Sequence, residues 1–428
     1  ENIMIDISGR LADSYMINNR LNSNVDFSLD YGVHKYANLR KYELKARPGL
    51  WYNSFDGIKV GTSLNGHYLK KHHVLNANMW LNTGAMKGEQ FEGNSENDKV
   101  SYQITYSTSM YKYVKNSRLR LAASELDGLS YFSIGYNIKD NSKMNSLDIS
   151  LNGFERKNQS DLNYLLYSDM WKPEMKNTNI TMNLSHNYYY LQNNKLSGNG
   201  NIQLSLKSSS IMSDYDFAQL TLEAVNRNSI SGYQINTRLF VQRGFGSNFP
   251  LESMLYAAGT NPEGLMANQF TRSKGWIPNN WTGYGNNSGT FHMGGGLNLR
   301  GFSGYYMIEP TDDGSTNVYQ GTSGMAFNSE IDYTSKIPKL NYWGLNSYIF
   351  MDMGVINENK TSSETLAFSR PYMDMGVGFT WELSRLWDHV LDCEPLVLRV
   401  DLPLLINHAP STENSIKLRC VVGLNRAF

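Results

Sequence analysis

The sequence predicts an all-β protein: a 16-stranded antiparallel transmembrane β-barrel with a long loop after strand 11 folded into the lumen. Three observations predict it. Apolar and polar residues alternate with a period of two over many runs of about ten residues. The composition suits strands that are apolar on one side only. Tyr 28, Trp 8, Phe 17 and Gly 36 stand beside 18% charged and 40% hydrophobic residues in a chain of 428. A membrane barrel has this mixture because lipid-facing and lumen-facing residues alternate. The third observation is one connection, 244–321, far longer than ordinary loops; loops of that size are usually functional or disordered.

The elements follow in order. Residues 1–40 hold one strand-like run near Val25–Val33 and no barrel pattern, so they read as a periplasmic lead-in to a barrel over 41–428. Strands are expected at 41–52, 57–67, 72–83, 98–110, 116–124, 129–138, 145–156, 178–190, 198–208, 214–225 and 229–243. After the long extracellular or lumenal loop, 244–321, they resume at 322–335, 344–355, 371–383, 394–405 and 415–428. In the second, Ile58, Val60 and Leu64 alternate with Lys59, Gly61, Ser63 and Asn65. In the ninth, Ile202, Leu204 and Leu206 oppose Gln203, Ser205 and Lys207. In the eleventh, Tyr233, Ile235, Leu239 and Val241 oppose Gln234, Asn236, Arg238 and Gln242. Met373, Met375, Val377, Phe379 and Trp381 oppose Tyr372, Asp374, Gly376, Gly378 and Thr380. Leu396, Leu398, Val400 and Leu402 stand against Arg399 and Asp401, and Ile416, Leu418, Cys420, Val422 and Leu424 against Lys417, Arg419, Gly423 and Asn425. About ten residues let a tilted strand cross the hydrocarbon layer. A sheet in lipid must close, since open edges leave backbone groups unpaired there. A soluble sandwich or propeller would have shorter strands and a polar outer face.

Other chemistry is excluded or unsupported. Lys+Arg 39 balances Asp+Glu 39, so nothing draws the chain to nucleic acid. No run reaches 18 apolar residues, so no transmembrane helix is expected. Two Cys rule out a disulfide scaffold and a Cys-rich metal site. Cys393 and Cys420 should be unbonded: a hairpin turning near Ala409-Pro410-Ser411 pairs residues whose numbers sum to about 821, which puts Cys420 near Asp401. None of the eight His lies in HExxH, and His72-His73 falls at a turn. There is no GxSxG elbow and no P-loop. The chain is therefore expected to be no enzyme, with no metal and no cofactor.

The long connection contains Leu299-Arg300-Gly301-Phe302. Alternation turns Asn328, Glu330 and Asp332 inward from one following strand, and Tyr348, Phe350, Asp352 and Gly354 inward from the next. Two neighbouring carboxylates repel unless a cation lies between them, and arginine offers a planar fork suited to carboxylates. Together these features resemble the barrel-insertase superfamily: the BamA-type assembly proteins and their two-partner-secretion and chloroplast relatives. That family has sixteen strands, a sixth extracellular loop tipped by [V/I/L]RG[F/Y], an inward acid on strand 12 and FxDxG on strand 13. Leu299–Phe302, Glu330 and Phe350-Met351-Asp352-Met353-Gly354 fit in that order, and GVGFTW at 376–381 and the terminal Phe428 look similar too.

The resemblance implies a loop latch of Arg300, Gly301, Phe302, Glu330 and Asp352, and Phe428 as a C-terminal assembly signal. It implies a place in the bacterial outer membrane, among lipid and lipopolysaccharide. Its implied function is outer-membrane protein insertion or protein translocation, with client barrel proteins or periplasmic and lipoprotein subunits as partners. Such a function needs a weak seam between first and last strands, and Pro48 in the first cannot donate a ladder hydrogen bond. An alternative is a non-catalytic anchor or carrier barrel for an upstream enzyme, or a subunit of a larger complex. RPGLWYNSFDGIKVG at 47–61 looks similar to the barrel start of large bacterial proteins with a gluzincin-type aminopeptidase domain, and no POTRA pattern is visible in 1–40. A general diffusion porin leaves the RGF tip and its two acids unexplained.

Overall fold

A computed structural model describes residues 15–19, 24–30, 38–91, 99–192, 196–282, 289–306, 309–310, 316–337, 344–357, 367–382, 397–410 and 413–428. One sheet of eighteen strands dominates it. Before the long connection come β1 (Val25–Leu29), β2 (Tyr42–Asn53), β3 (Gly57–Tyr68), β4 (His72–Asn82), β5 (Val100–Ser109) and β6 (Ser117–Leu126). They are followed by β7 (Leu129–Lys139), β8 (Asn145–Glu155), β9 (Asn177–Gln192), β10 (Leu196–Ser209), β11 (Asp216–Ile230) and β12 (Tyr233–Asn248). The connection itself contributes β13 (Gly289–His292). After it come β14 (Gly324–Asp332), β15 (Leu345–Ile356), β16 (Tyr372–Glu382), β17 (Val397–Ile406) and β18 (Cys420–Leu424).

Sixteen of these strands, β2 to β12 and β14 to β18, form an unbroken antiparallel run in which each pairs with the next in the chain. The other two are parallel additions at its edges: β1 lies along β2, and β13 along β18. Among the described residues no pairing joins β2 directly to β18.

Register turns the period-two pattern into continuous rows. Leu147, Leu184, Leu204, Leu222, Val241, Met325 and Val355 are successive cross-strand partners over seven strands. They form one apolar row, and Leu184, Leu204, Leu222 and Met325 in it are exposed. The next row on the opposite face runs Asn183, Ser205, Thr221 and Gln242, with Ser205 donating to Asn183 at 2.5 Å and Thr221 to Gln242 at 3.4 Å. The sheet thus exposes aliphatic side chains on one face and gathers polar side chains on the other, and an exposed aliphatic face is the reverse of what a water-soluble sheet presents.

The connection lengths also alternate. At one end the connections are 54–56, 83–99, 127–128, 156–176, 210–215, 249–323, 357–371 and 407–419; the other end has mostly short turns such as 69–71, 140–144 and 231–232. The end with long connections is tied together by a buried network. Lys59 lies 2.7 Å from Asp56 and 2.6 Å from Asp127, and Tyr164 donates to Asp56 at 2.7 Å.

The strand expectations need three corrections. The long connection is 249–323 rather than 244–321, because β12 continues to Asn248 and β14 begins at Gly324. The last strand is Cys420–Leu424 rather than 415–428. Its hairpin starts in the expected register, Leu405 opposite Ile416, but Asp401 then faces Val421, one residue on. Lys417 N still donates to the carbonyl of Leu404 at 3.2 Å, residues 418–419 leave the ladder, and an extra residue in one strand shifts all later pairs. Cys420 carries a free thiol, and Cys393 lies outside the described residues.

Candidate functional site

The long connection touches the polar face of the sheet at several separate places, and its RGF tip is the most deeply held. Arg300–Phe302 form one 3-10 turn, and all three residues are buried. The Arg300 guanidinium donates to Asp352 through Nε at 2.7 Å and Nη2 at 3.0 Å, the two-pronged geometry that fits a carboxylate. Nη1 donates to Glu330 at 2.8 Å and approaches Asp401 at 3.5 Å. The cation also sits 3.9 Å from the centre of the Phe350 ring. Three strands, β14, β15 and β17, therefore converge on one side chain. Asn328 donates to the carbonyls of Leu297 and Asn298 at 3.2 Å, and Arg238 to that of Gly296 at 2.9 Å, which fixes the approach to the tip.

Gly301 and Phe302 complete the fit. A Cβ on Gly301 would stand 2.6 Å from both Asp374 and Ile406, so only glycine lets the tip lie this close to the wall. The Phe302 ring packs edge-on against Tyr372 at 5.1 Å and beside Tyr319 at 6.2 Å.

The structure brings together Arg300, Gly301, Phe302, Glu330 and Asp352. Phe428 stands apart, half-buried and beyond the last strand. Sequence reasoning missed three members of the cluster. Asp374 is the direct cross-strand partner of Asp352, is fully buried, and accepts no well-formed hydrogen bond. Asp401 lies between the two arginines, and Arg399 Nε is 2.8 Å from it. Alternation had already turned Asp374, Arg399 and Asp401 inward; which inward groups meet depends on register, which alternation leaves open.

Other anchors lie far round the sheet. Asn177 on β9 donates to Glu252 at 3.0 Å, and Lys207 on β10 forms an ion pair with Glu263. Burial pushes the Glu252 carboxyl up to about 7, against the hydrogen bond from Asn177 and with help from the like charge of Glu263. At the end of β2, Ser54 N donates to the carbonyl of Lys274 at 2.9 Å, and Trp276 Nε1 to that of Tyr52 at 2.8 Å. The connection leaves some of the polar face uncovered. A cavity of about 370 Å³ lies beside β4–β8, lined by Asn76, Thr105, Arg120, Ser133, Ser150 and Asn152.

Solved structures similar to this chain include BamA from Haemophilus ducreyi lacking POTRA domains 1–3, at 14% identity over 88% of this chain and 69% of that one, with a TM-score of 0.42. The outer membrane protein OprD from Pseudomonas aeruginosa aligns at 10% identity over 86% of this chain and 79% of its own, with a TM-score of 0.40. OccK2 from the same organism, in complex with glucuronate, aligns at 8% identity over 85% and 80%, with a TM-score of 0.41. No protein-family profile and no curated protein matches the chain.

Proposed function

We propose that this chain is a closed, sixteen-stranded outer-membrane barrel whose long connection lies in the lumen, and that it acts in outer-membrane protein insertion or translocation. Reach supports the closure. Laid flat, fifteen strand spacings of about 4.8 Å would separate β2 from β18 by roughly 70 Å. Trp276 bonds to β2 and Gly289 pairs with β18, yet the thirteen residue steps from one to the other extend at most about 45 Å. The two edges are therefore curled towards each other around the connection. The exposed aliphatic rows support a lipid surround, and the end with long connections faces outward, as in other outer-membrane barrels.

The observation that carries the functional reading is the Arg300 tip, buried among acids from three strands. A diffusion pore has no need to hold a loop through a buried ion cluster. A barrel that must stay sealed while its wall rearranges around a client does. Phe428 is proposed as an assembly signal.

The test is reconstitution. Liposomes carrying the barrel should fold a denatured client barrel protein faster than empty liposomes, read by heat-modifiable migration. Arg300→Ala should lower that acceleration about tenfold. No acceleration by the unaltered chain, with the barrel itself correctly folded, would contradict the reading. The cavity beside β4–β8, with Asn76, Thr105, Arg120, Ser133, Ser150 and Asn152 in its lining, favours a second reading, a channel for small polar solutes; solute flux without client folding would select it.

A further inference from the structure

We propose that the seam between β2 and β18 is closed by the long connection acting as a strap, so that opening the wall requires the strap to leave. The inference rests on the barrel reading above, and it concerns backbone groups. An edge strand presents unpaired N–H and C=O groups, which are costly in a membrane.

In this chain both edges are occupied by segments of the chain itself. On β18, Gly289 to His292 of β13 run parallel, in register with Cys420 to Gly423. The approach continues past the ladder: a Cβ on Gly294 would lie 2.1 Å from the carbonyl oxygen of Ala427. On β2, the upper end is held by Lys274 and Trp276 of the same connection, with Trp51 stacked on Trp276 at 4.8 Å. The lower part pairs with β1, Val25 opposite Tyr42 through Leu29 opposite Ala46.

One side chain welds the strap to the last hairpin. Arg399 of β17 passes over Gly423, where a Cβ would meet its guanidinium at 2.5 Å, and donates to the carbonyls of His292 on β13 at 3.3 Å and Asn425 at 3.2 Å. Asp401 holds Arg399 and also approaches Arg300. The tip and the strap thus share a carboxylate and are separated by only seven residues of chain. Release of Arg300 frees the C-terminal side of the segment that covers β18, while Lys274 and Trp276 still hold the other side on β2.

Cysteine crosslinking tests this in the full chain, with Cys393 and Cys420 replaced by serine. Thr290→Cys with Val421→Cys places two thiols on directly paired residues. Strands about 4.8 Å apart fall within disulfide range. Most of the folded protein should crosslink, and adding Arg300→Ala should lower that yield several-fold. A second set puts cysteine at positions 44 to 50 of β2 against Val421→Cys. It should give no crosslink in the intact chain and gain one when 274–294 is deleted. Direct β2–β18 crosslinks in the intact, heat-modifiable barrel would overturn the strap while leaving the barrel reading standing. Failure of the unaltered chain to show heat-modifiable migration would instead remove the barrel reading itself.

Discussion

Asp352 and Asp374 face each other across two strands, and the structure treats them differently. Asp352 accepts both prongs of Arg300, whereas Asp374 accepts no well-formed hydrogen bond. Glu330 and Asp401 bring the buried acids to four, against the guanidiniums of Arg300 and Arg399. Asp374 is the acid that no guanidinium holds, so its charge adds repulsion against its neighbours and no attraction. Asp374→Asn should therefore leave the melting temperature unchanged or raise it. Asp352→Asn should lower it, because breaking a buried pair costs about 3–5 kcal/mol and strands the arginine. Equal losses in both variants would refute this division of roles. Gly301→Ala tests packing alone: with Arg300 intact, the added Cβ has no room against Asp374 and Ile406. Limited proteolysis should cut 249–323 much faster in that variant than in the parent; unchanged cutting would mean that the tip can shift at no cost.

The long connection is the element whose docking should respond to pH. The Glu252 carboxyl is raised to about 7 from its ordinary 4.5. The docked state then binds more proton than the undocked state between those values, so docking weakens as pH rises from 4.5 to 7 and levels off above. The full difference is on the order of 3 kcal/mol. Hydrogen exchange of 249–256, corrected for intrinsic rates, should be faster at pH 8 than at pH 5, and Glu252→Gln should abolish the difference. Exchange that is insensitive to pH in the parent would contradict this placement of Glu252. The same element shows what the sequence could convey. Long strands such as β10 and β12 were legible because alternation of side chains is local information. β13 was invisible, since Gly289–His292 pair through backbone atoms at an edge and need no side-chain period. The slipped register before Cys420 was hidden for a related reason: a bulge leaves both faces looking intact. Arg300 with Glu330 and Asp352 was legible because two adjacent strands and one tip define it. Asp374, Arg399 and Asp401 needed the register of two more strands.

The long connection joins distant parts of the sheet, and in the proposed barrel it is part of the wall as well as its filling. It reaches β9 and β10 through Glu252 and Glu263, β2 through Trp276, β18 through β13, and β14, β15 and β17 through Arg300. A sixteen-stranded barrel is wide enough for an aqueous channel, so the contents of the lumen decide whether it conducts. A cavity of about 370 Å³ lies beside β4–β8. Planar-bilayer conductance of the purified chain measures this most directly. The account predicts small, flickering currents from the intact protein, larger and steadier ones when 255–315 is deleted, and an intermediate level for Arg300→Ala. Large, steady currents from the intact protein, unchanged by the deletion, would contradict it.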